Sequence, residues 1–327
     1  MPITNLTPFA AVDVPMLDAQ GQEVVVAIVK ATFEVRADGK VVPAEEGSPI
    51  RAGDVVRDPD DIRSSLLYPS DLGPAKVGTD VVIVGEAVSK APVKAADVAV
   101  KVRDRTLTLR VHGERVFYKS LMGLAMSPSA PFERKQIVYE RAYGGASEDW
   151  SVVEHRNPSG VGVAKRKEDL VDRPAPQIES ATTPYVVGDS PEPVGLGAIM
   201  THWSPRKELV GTYDEAWVQA RMPLPPRDFD PRFWNVAHPS LVFESPLVAG
   251  DTISISGMTL ERFVFALPAF PLRLRGRFDG RGPLETAPAI DLVLVEPSRR
   301  RFEIVGRQSF VMGRRQQVLR EVIAEIA

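Results

Sequence analysis

Proline recurs along the chain and limits the length of any regular element. It occupies 29 of the 327 positions, about 9% against a usual share of about 5%. Because proline lacks a backbone N–H and fixes φ, it is excluded from the interior of long helices and of central strands. The sequence therefore predicts short elements that are joined by turns and irregular loops.

The composition excludes several classes of site. The 40 basic and 43 acidic residues give a formal net charge of −3, unlike the strongly basic domains that bind nucleic acid. The absence of cysteine rules out disulfides, thiolate nucleophiles and sulfur-ligated metal clusters. The longest apolar runs, such as VVVAIV at 24–29, fall short of the roughly 20 residues that cross a bilayer. With no secretory signal at the start, we expect a cytoplasmic protein without membrane segments.

Both ends of the chain have strand patterns. The segment 23–35 (EVVVAIVKATFEV) is apolar on both alternating faces up to Val29, which is typical of a strand buried on two sides. The segment 79–88 (TDVVIVGEAV) has the same pattern. Segments 97–102 and 106–111 alternate around the residues RDR, which predicts a β-hairpin. Short apolar runs between 251 and 305 predict further strands.

Two helices are predicted among these strands. Thr212 and Glu215 match the spacing of a capping box at the start of YDEAWVQARM. The second helix is predicted at the C-terminus from one apolar stripe, which consists of Val318, Leu319, Val322, Ile323 and Ile326.

The whole chain, 1–327, is predicted to be one domain with three regions. These are an N-terminal β region (1–125), a loop-rich motif region (126–240) and a C-terminal β region that ends in the helix (241–327). We expect a mainly β fold of packed antiparallel sheets, as a sandwich or an open barrel, with a long proline-rich irregular centre and a few short helices.

Two aspartates are the main catalytic candidates. Asp228 and Asp230 lie in PPRDFDPRFWNVAHPS, 225–240, and in an extended segment they would share a face, as acid–base chemistry or cation binding requires. A structural role is favoured, because Asp before proline commonly accepts backbone N–H groups in Asx-turns. The structural interpretation makes this segment a braced loop.

Other chemical signatures are weak. The four histidines are far apart in sequence and match no metal motif, and neither a serine elbow nor a phosphate loop occurs in the required context. We therefore predict no metal and no cofactor. Seven arginines and only Glu303 among acidic residues lie between 299 and 320. They suggest a patch for nucleic acid or an acidic partner, or else a solvated hairpin face followed by the basic start of a helix, and this second interpretation is favoured.

Five motifs occur in a fixed order in the centre of the chain: YERAYGG (139–145), RNPSGVG (156–162), PQIES (176–180), GTYDEAW (211–217) and LPPRDFDPRFWNVAHP (224–239). Together with NLTPFA (5–10) and SSLLYPSDLGPAKVGTDVVIVGEA (64–87), they resemble a bacterial family of unknown function. Members of that family are encoded beside type VI secretion genes, near PAAR-repeat spike proteins and VgrG.

The resemblance covers nearly the whole chain and implies a function in protein binding. It implies a non-enzymatic adaptor or chaperone that assists effector loading onto the secretion spike. The expected partner is a protein effector or a PAAR/VgrG spike component. Because the family has no agreed catalytic residues, the resemblance supplies no active site.

The residues themselves support protein recognition, since stiff loops on a β scaffold present aromatic surface at low entropic cost. Candidates for partner binding or loop bracing are Arg141, Tyr143, Asn157, Trp203, Arg206, Tyr213, Asp214, Trp217, Asp228, Asp230, Arg232 and Trp234. Each tryptophan has an equal claim to a core role. The alternatives are a hydrolase that uses Asp228 and Asp230, and a carbohydrate- or nucleic-acid-binding module. Nucleic acid is disfavoured, and the oligomeric state is left open.

Overall fold

A computed structural model describes residues 3–313 and 318–326 of the chain. The prediction of a mainly β fold is confirmed, with 42% strand and 8% helix. The strands of the first part are β1 (Thr4–Asn5), β2 (Ala10–Leu17), β3 (Glu23–Val35), β4 (Val41–Pro43), β5 (Val55–Val56), β6 (Leu66–Tyr68), β7 (Thr79–Ile83), β8 (Glu86–Val93), β9 (Ala95–Val102), β10 (Arg105–His112), β11 (Phe117–Ser120) and β12 (Gly123–Met126). The later strands are β13 (Phe132–Gln136), β14 (Tyr143–Gly144), β15 (Val161–Gly162), β16 (Ile178–Ser180), β17 (Val242–Phe243), β18 (Thr252–Ser256), β19 (Phe263–Ala266), β20 (Leu272–Phe278), β21 (Leu284–Thr286), β22 (Ala289–Glu296), β23 (Arg301–Val311) and β24 (Leu319–Ile326).

Three open sheets pack as layers. The central sheet has the order β17-β7-β22-β23-β3-β2, with β4 also paired to β3. One face of it packs on the antiparallel sheet β16-β10-β9-β18-β19, where Phe265 stacks on Phe302 with ring centroids 4.3 Å apart. The other face packs on the sheet β1-β24-β20-β21. The architecture is therefore a layered sandwich.

The strand β3 lies in the middle of this stack, and the prediction that it is buried on both sides is confirmed. Val26 and Ile28 contribute to the core against the five-stranded sheet. Val25, Ala27 and Val29 contribute to the core against the four-stranded sheet. Since side chains alternate along a strand, a run that is apolar at every position suits a strand with a sheet on each face.

The predicted hairpin is confirmed as β9 and β10, but the predicted single strand at 79–88 is two strands. The strand β7 ends at Ile83 in the central sheet, and β8 starts at Glu86 and pairs with β13. The chain leaves the central sheet at Val84 and Gly85, where an added Cβ on Gly85 would lie 2.8 Å from Met258 Cε. Glycine at this crossing permits the close contact.

The predicted C-terminal helix is wrong, because Leu319–Ile326 forms the strand β24. It pairs antiparallel with β20 and parallel with β1. Val322 and Ala324 are buried in the core of the four-stranded sheet, and Glu321 and Glu325 form ion pairs with arginines of β20. Pairing with a strand more than forty residues earlier along the chain outweighs the local helical stripe.

The motif region 126–240 contacts the central sheet at β7, the strand next to the edge strand β17. The N–H of Ile83 donates to the carbonyl oxygen of Leu196 at 2.8 Å, and the N–H of Val236 donates to Asp80 Oδ2 at 2.8 Å. The helices described in the whole chain are short: α1 (Glu215–Ala220) and the 3₁₀ turns Tyr139–Arg141, Lys167–Leu170, Arg206–Leu209, Pro231–Trp234, Pro239–Leu241 and Pro297–Arg299.

The helix α1 is confirmed, but its predicted capping box is wrong. Asp214 is the N-cap, and its side chain accepts from the N–H of Trp217 at 2.8 Å. Thr212 instead donates to Asp228. None of the helices among the described residues has the length and apolar character that a bilayer crossing requires.

Candidate functional site

The central motifs enclose a large cavity, here called the loop groove. Its volume is about 580 Å³, and its walls are the segments 145–149 and 160–166, four residues between 169 and 174, and Arg63. The strands β14 and β15 pair in parallel at its base. Two of the family-like motifs, YERAYGG and RNPSGVG, therefore meet in this one feature.

A smaller cavity, the side pocket, adjoins the loop groove. Its volume is about 150 Å³, and it shares Arg63 with the groove. Trp150, His155 and His202 line it, and Trp203 closes its inner side. Its lining is mostly apolar and aromatic, whereas the groove walls carry charged side chains.

Asn157 fixes the two groove walls to each other. Its side-chain amide donates to the carbonyl oxygens of Tyr139 and Tyr143, at 2.8 and 3.0 Å, and the N–H of Gly145 donates to its backbone carbonyl at 2.8 Å. Gly144 has φ +149°, and a Cβ there would lie 2.2 Å from the Asn157 carbonyl oxygen. The walls of the groove are thus held in one arrangement by a fully buried amide.

Two apolar side chains at the side pocket are exposed to solvent. Ile62 is 91% exposed and Trp150 is 50% exposed. Trp150 also has φ +56°, a left-handed conformation that is unfavourable for a bulky non-glycine residue. Strain of this kind, together with an exposed aromatic ring, is characteristic of sites that bind other molecules.

The charged side chains of the groove form ion pairs across and along its walls. Lys165 Nζ lies 3.1 Å from Asp149 Oδ2, and Arg173 Nη2 lies 2.8 Å from Glu148 Oε1. Hydrogen bonds from the hydroxyls of Ser147 and Ser151, then from the Ser151 backbone and from Lys165, lower the pKa of Asp149. The groove therefore presents both signs of charge, and the lowered pKa keeps Asp149 ionised at neutral pH.

Several sequence-predicted residues lie beneath the groove and the side pocket. Asn157 and Tyr143 are buried, and the Tyr143 ring stacks on Tyr185 with centroids 5.6 Å apart. Trp203 is 1% exposed and packs edge-on against Tyr139. Arg141 is half-buried, and its Nη1 lies 3.4 Å from the carbonyl oxygen of Gln136. Asn157, Tyr143 and Trp203 therefore support the loops from below.

The residues predicted around the two aspartates form a separate surface. The carboxylate of Asp228 accepts from the N–H and the hydroxyl of Thr212, at 3.0 and 2.7 Å. Asp230 accepts from the backbone N–H of Arg232 at 2.9 Å and pairs with its guanidinium. The hydrogen bonds lower the pKa of Asp228, and those from Arg232 lower that of Asp230. Both carboxylates thus brace turns.

The aromatic pair of that surface lies beside α1. The rings of Tyr213 and Trp217 meet edge-on with centroids 4.6 Å apart. The indole N–H of Trp217 donates to the carbonyl oxygen of Leu224 at 2.8 Å, whereas Tyr213 is exposed. The remaining two predicted residues, Arg206 and Trp234, line a third cavity that is separate from the groove.

The four histidines are dispersed over the structure, and so are the described arginines of the run between 299 and 320, here called the basic run. His112 Nε2 lies 2.8 Å from Glu179, His238 is buried, and the described residues contain no group of three or more potential metal ligands. In the basic run, Arg307 is buried against Asp291 and Arg320 pairs with Asp279. Two more of its arginines, at 314 and 315, lie outside the described residues.

Sequence reasoning did not select Ile62 or Trp150, the most exposed large apolar residues at the side pocket. It chose the other three tryptophans, one of which, Trp203, is buried. A signal for Trp150 exists in the motif ASEDW, 146–150, where a tryptophan follows two acidic residues without an apolar neighbour.

The comparisons with known proteins identify a family. The model of the family described as "Uncharacterized protein conserved in bacteria (DUF2169)" matches residues 20–307. No curated protein matches the chain. No solved structure matches it either. Because the family model spans most of the chain, from the first long strand to the last strand of the central sheet, the protein belongs to this DUF2169 family of bacterial proteins.

Proposed function

We propose that the protein is a non-enzymatic adaptor that binds an extended segment of another polypeptide in the loop groove. An apolar side chain of that segment would occupy the side pocket. The observation that carries the proposal is Trp150, a half-exposed tryptophan held at φ +56° that lines the side pocket and directly follows Asp149 of the groove wall. Tryptophans at the centre of an interface are frequent sources of binding energy.

The stiffness of the loops supports the proposal. Binding costs less when the interface is ordered beforehand, and Asn157 holds both groove walls through two buried side-chain hydrogen bonds. The tight approach of Gly144 to the same residue leaves no room for a side chain. The groove is thus built before a partner arrives.

The charges of the groove favour a polypeptide over nucleic acid as the occupant. Its walls carry Arg63 and three further cations, and three carboxylates stand among them. The three other cations form ion pairs with these carboxylates, as Arg166 does with Asp169 at 2.8 Å. Phosphate backbones select surfaces with a strong excess of positive charge, whereas a peptide of mixed charge suits a wall of mixed charge.

The proposed identity of the partner is supported by the motifs that resemble the bacterial family, and not by the cavities. We infer a type VI secretion effector, or the PAAR-linked carrier of that effector, which the adaptor would bind in the cytoplasm before loading onto the VgrG spike. The ordered motifs over 139–239 are the support for this assignment, and two of them build the groove.

The proposal is tested by binding to an effector encoded beside the gene. Trp150→Ala is expected to weaken binding by about thirtyfold, since truncating a central tryptophan typically costs about 2 kcal/mol. Leu260→Ser removes an apolar side chain of similar exposure from the turn between β18 and β19, and it serves as the matched control. Calorimetry with each purified variant gives the dissociation constants.

Two further variants compare the groove with other surfaces. Tyr213→Ala alters the surface around α1, and Leu121→Ser alters the exposed tip between β11 and β12. If either weakens binding while Trp150→Ala leaves it unchanged, the groove is not the docking site. If no neighbouring effector binds the native chain, the adaptor proposal itself fails.

A further inference from the structure

A third cavity lies on the opposite side of the segment 200–206 from the side pocket. Its volume is about 210 Å³, and Arg206, Trp234 and Lys76 are among its walls. Met200 and His202 line the side pocket, whereas Thr201 between them lines this cavity. We call it the arginine pocket. It is well above the roughly 15 Å³ that one water requires.

Arg206 is the exceptional residue of this pocket. It is 5% exposed, its Nε donates to the carbonyl oxygen of Phe233 at 2.9 Å, and its Nη1 donates to that of Ile199 at 2.6 Å. A guanidinium has five N–H donors, and among the described residues no acceptor lies on Nη2. No described carboxylate is within ion-pair distance of it. A buried cation without a counter-ion is costly.

The other cations of the pocket are neutralised. Lys76 Nζ lies 2.6 Å from Asp80 Oδ2, and Arg307 Nη1 lies 2.6 Å from Asp291 Oδ1. Arg206 is therefore the one cation of this pocket without an ion-pair partner among the described residues, and the exposed carboxylate of Asp54 also lines the pocket. Burial lowers its pKa, and the carboxylates of Asp54 and Asp80 oppose this shift only from a distance.

We propose that the arginine pocket is a binding site for a single carboxylate group, with Arg206 as its charge partner. A planar guanidinium with free N–H donors matches a planar carboxylate. A single buried cation suits a monoanion, whereas a phosphate dianion would be repelled more strongly by the carboxylates of Asp54, Asp80 and Asp291. The Trp234 ring offers an apolar face to the stem of the ligand. This site is independent of the loop groove and of the adaptor function.

The carboxylate could belong to a small free acid or to a glutamate side chain of a bound polypeptide. Acetate and a glutamate blocked at both ends, as its N-acetyl α-amide, represent these two sources. Calorimetry on the full chain measures the binding of both ligands. The ionic strength is kept constant by replacing chloride with acetate. We expect the heat of acetate binding to saturate, with a dissociation constant in the millimolar range, about 1–10 mM.

Three variants give the proposal its specific test. Arg206→Gln should abolish the binding of acetate. Thr201→Trp should also abolish it by filling the mouth, because Thr201 lies exposed on the rim and its replacement leaves the guanidinium and its hydrogen bonds intact. Asp54→Asn removes a repelling charge from the rim, keeps the acceptor for the N–H of Ser70, and should tighten binding about fivefold.

The outcomes separate the possibilities. Binding of the blocked glutamate tenfold tighter than acetate supports a polypeptide side chain as the ligand, and equal or weaker binding supports a free carboxylic acid. The proposal is overturned if acetate acts no differently from chloride. It is also overturned if the dissociation constant for acetate is unchanged in Thr201→Trp and Asp54→Asn. Neither result depends on whether an effector binds the loop groove.

Discussion

The side-chain amide of Asn157 donates to the carbonyl oxygen of Tyr143 at 3.0 Å, and this contact joins the two walls of the loop groove. The same nitrogen donates to the carbonyl oxygen of Tyr139 at 2.8 Å. Two turns that are separated in the sequence are thereby fixed by one buried group. Contacts of this kind hold the walls of the groove in one arrangement.

Asn157→Ala is expected to destabilise the fold by about 1–3 kcal/mol, because the buried carbonyl oxygen of Tyr143 loses its donor and that of Tyr139 keeps only the N–H of Ala142. Urea unfolding measures the change in free energy. Binding of a partner should weaken as well, since the groove walls lose their brace. A variant with unchanged stability would show that the two walls are held by other contacts.

Lys30→Met is expected to cost about 3–5 kcal/mol, because removing one partner of a buried ion pair leaves unpaired charge. Lys30 Nζ lies 2.8 Å from Asp71 and 3.2 Å from Glu303, and all three side chains are buried. Lys165→Met breaks an exposed pair in the groove and is the matched control, with a minor effect. Equal losses in the two variants would contradict the buried network.

Glu179 should give the stability a specific dependence on pH. Burial raises the pKa of Glu179, but hydrogen bonds from His112, Arg115 and the N–H of Tyr185 outweigh it and bring that pKa to about 2. Since this value is below that of the unfolded chain, the contribution is present above about pH 4.5 and is lost as the pH falls towards 2.

Glu179→Gln removes this contribution. At pH 7 the variant should be less stable than the native chain by about 2 kcal/mol, the usual value for hydrogen bonds to a charged group. The difference should shrink as the pH falls from 4.5 towards 2. Urea unfolding at pH 7, 4.5 and 3 provides the comparison, and a difference that does not vary with pH would refute the assignment.

Asp228→Asn and Asp230→Asn should leave partner binding unchanged within about twofold. Asparagine keeps an oxygen that accepts the N–H groups of Thr212 and Arg232, so both turns should persist. If either variant lost the biological activity of the protein while it remained folded, the aspartates would have a chemical role, as the alternative hydrolase hypothesis requires.

The sequence predicted the strands with continuous or alternating apolar residues, because burial on one or two faces is a local pattern. The strand β3 and the hairpin β9–β10 are of this type. It did not predict β24, whose apolar stripe also fits a helix. The deciding contacts of Val322 and Ala324 come from distant strands.

The candidate site was predicted in part. The motifs that build the loop groove were identified, and Asn157 and Tyr143 were among the chosen residues. Trp150 was not chosen, because the exposure of its side chain depends on how the loops fold. The irregular, proline-rich region has no sequence periodicity from which that exposure could be predicted. Arg206 was chosen as a partner-binding residue, yet its lack of a counter-ion is visible only in three dimensions.

Hydrogen–deuterium exchange of the chain, alone and with a bound effector, tests the central claim most directly. Slower exchange on binding is expected in the groove walls, over 145–150 and 159–166, because the partner covers their backbone. Protection confined to 211–234 or to the tip at 120–123, with the groove walls unchanged, would contradict the assignment of the groove as the docking surface.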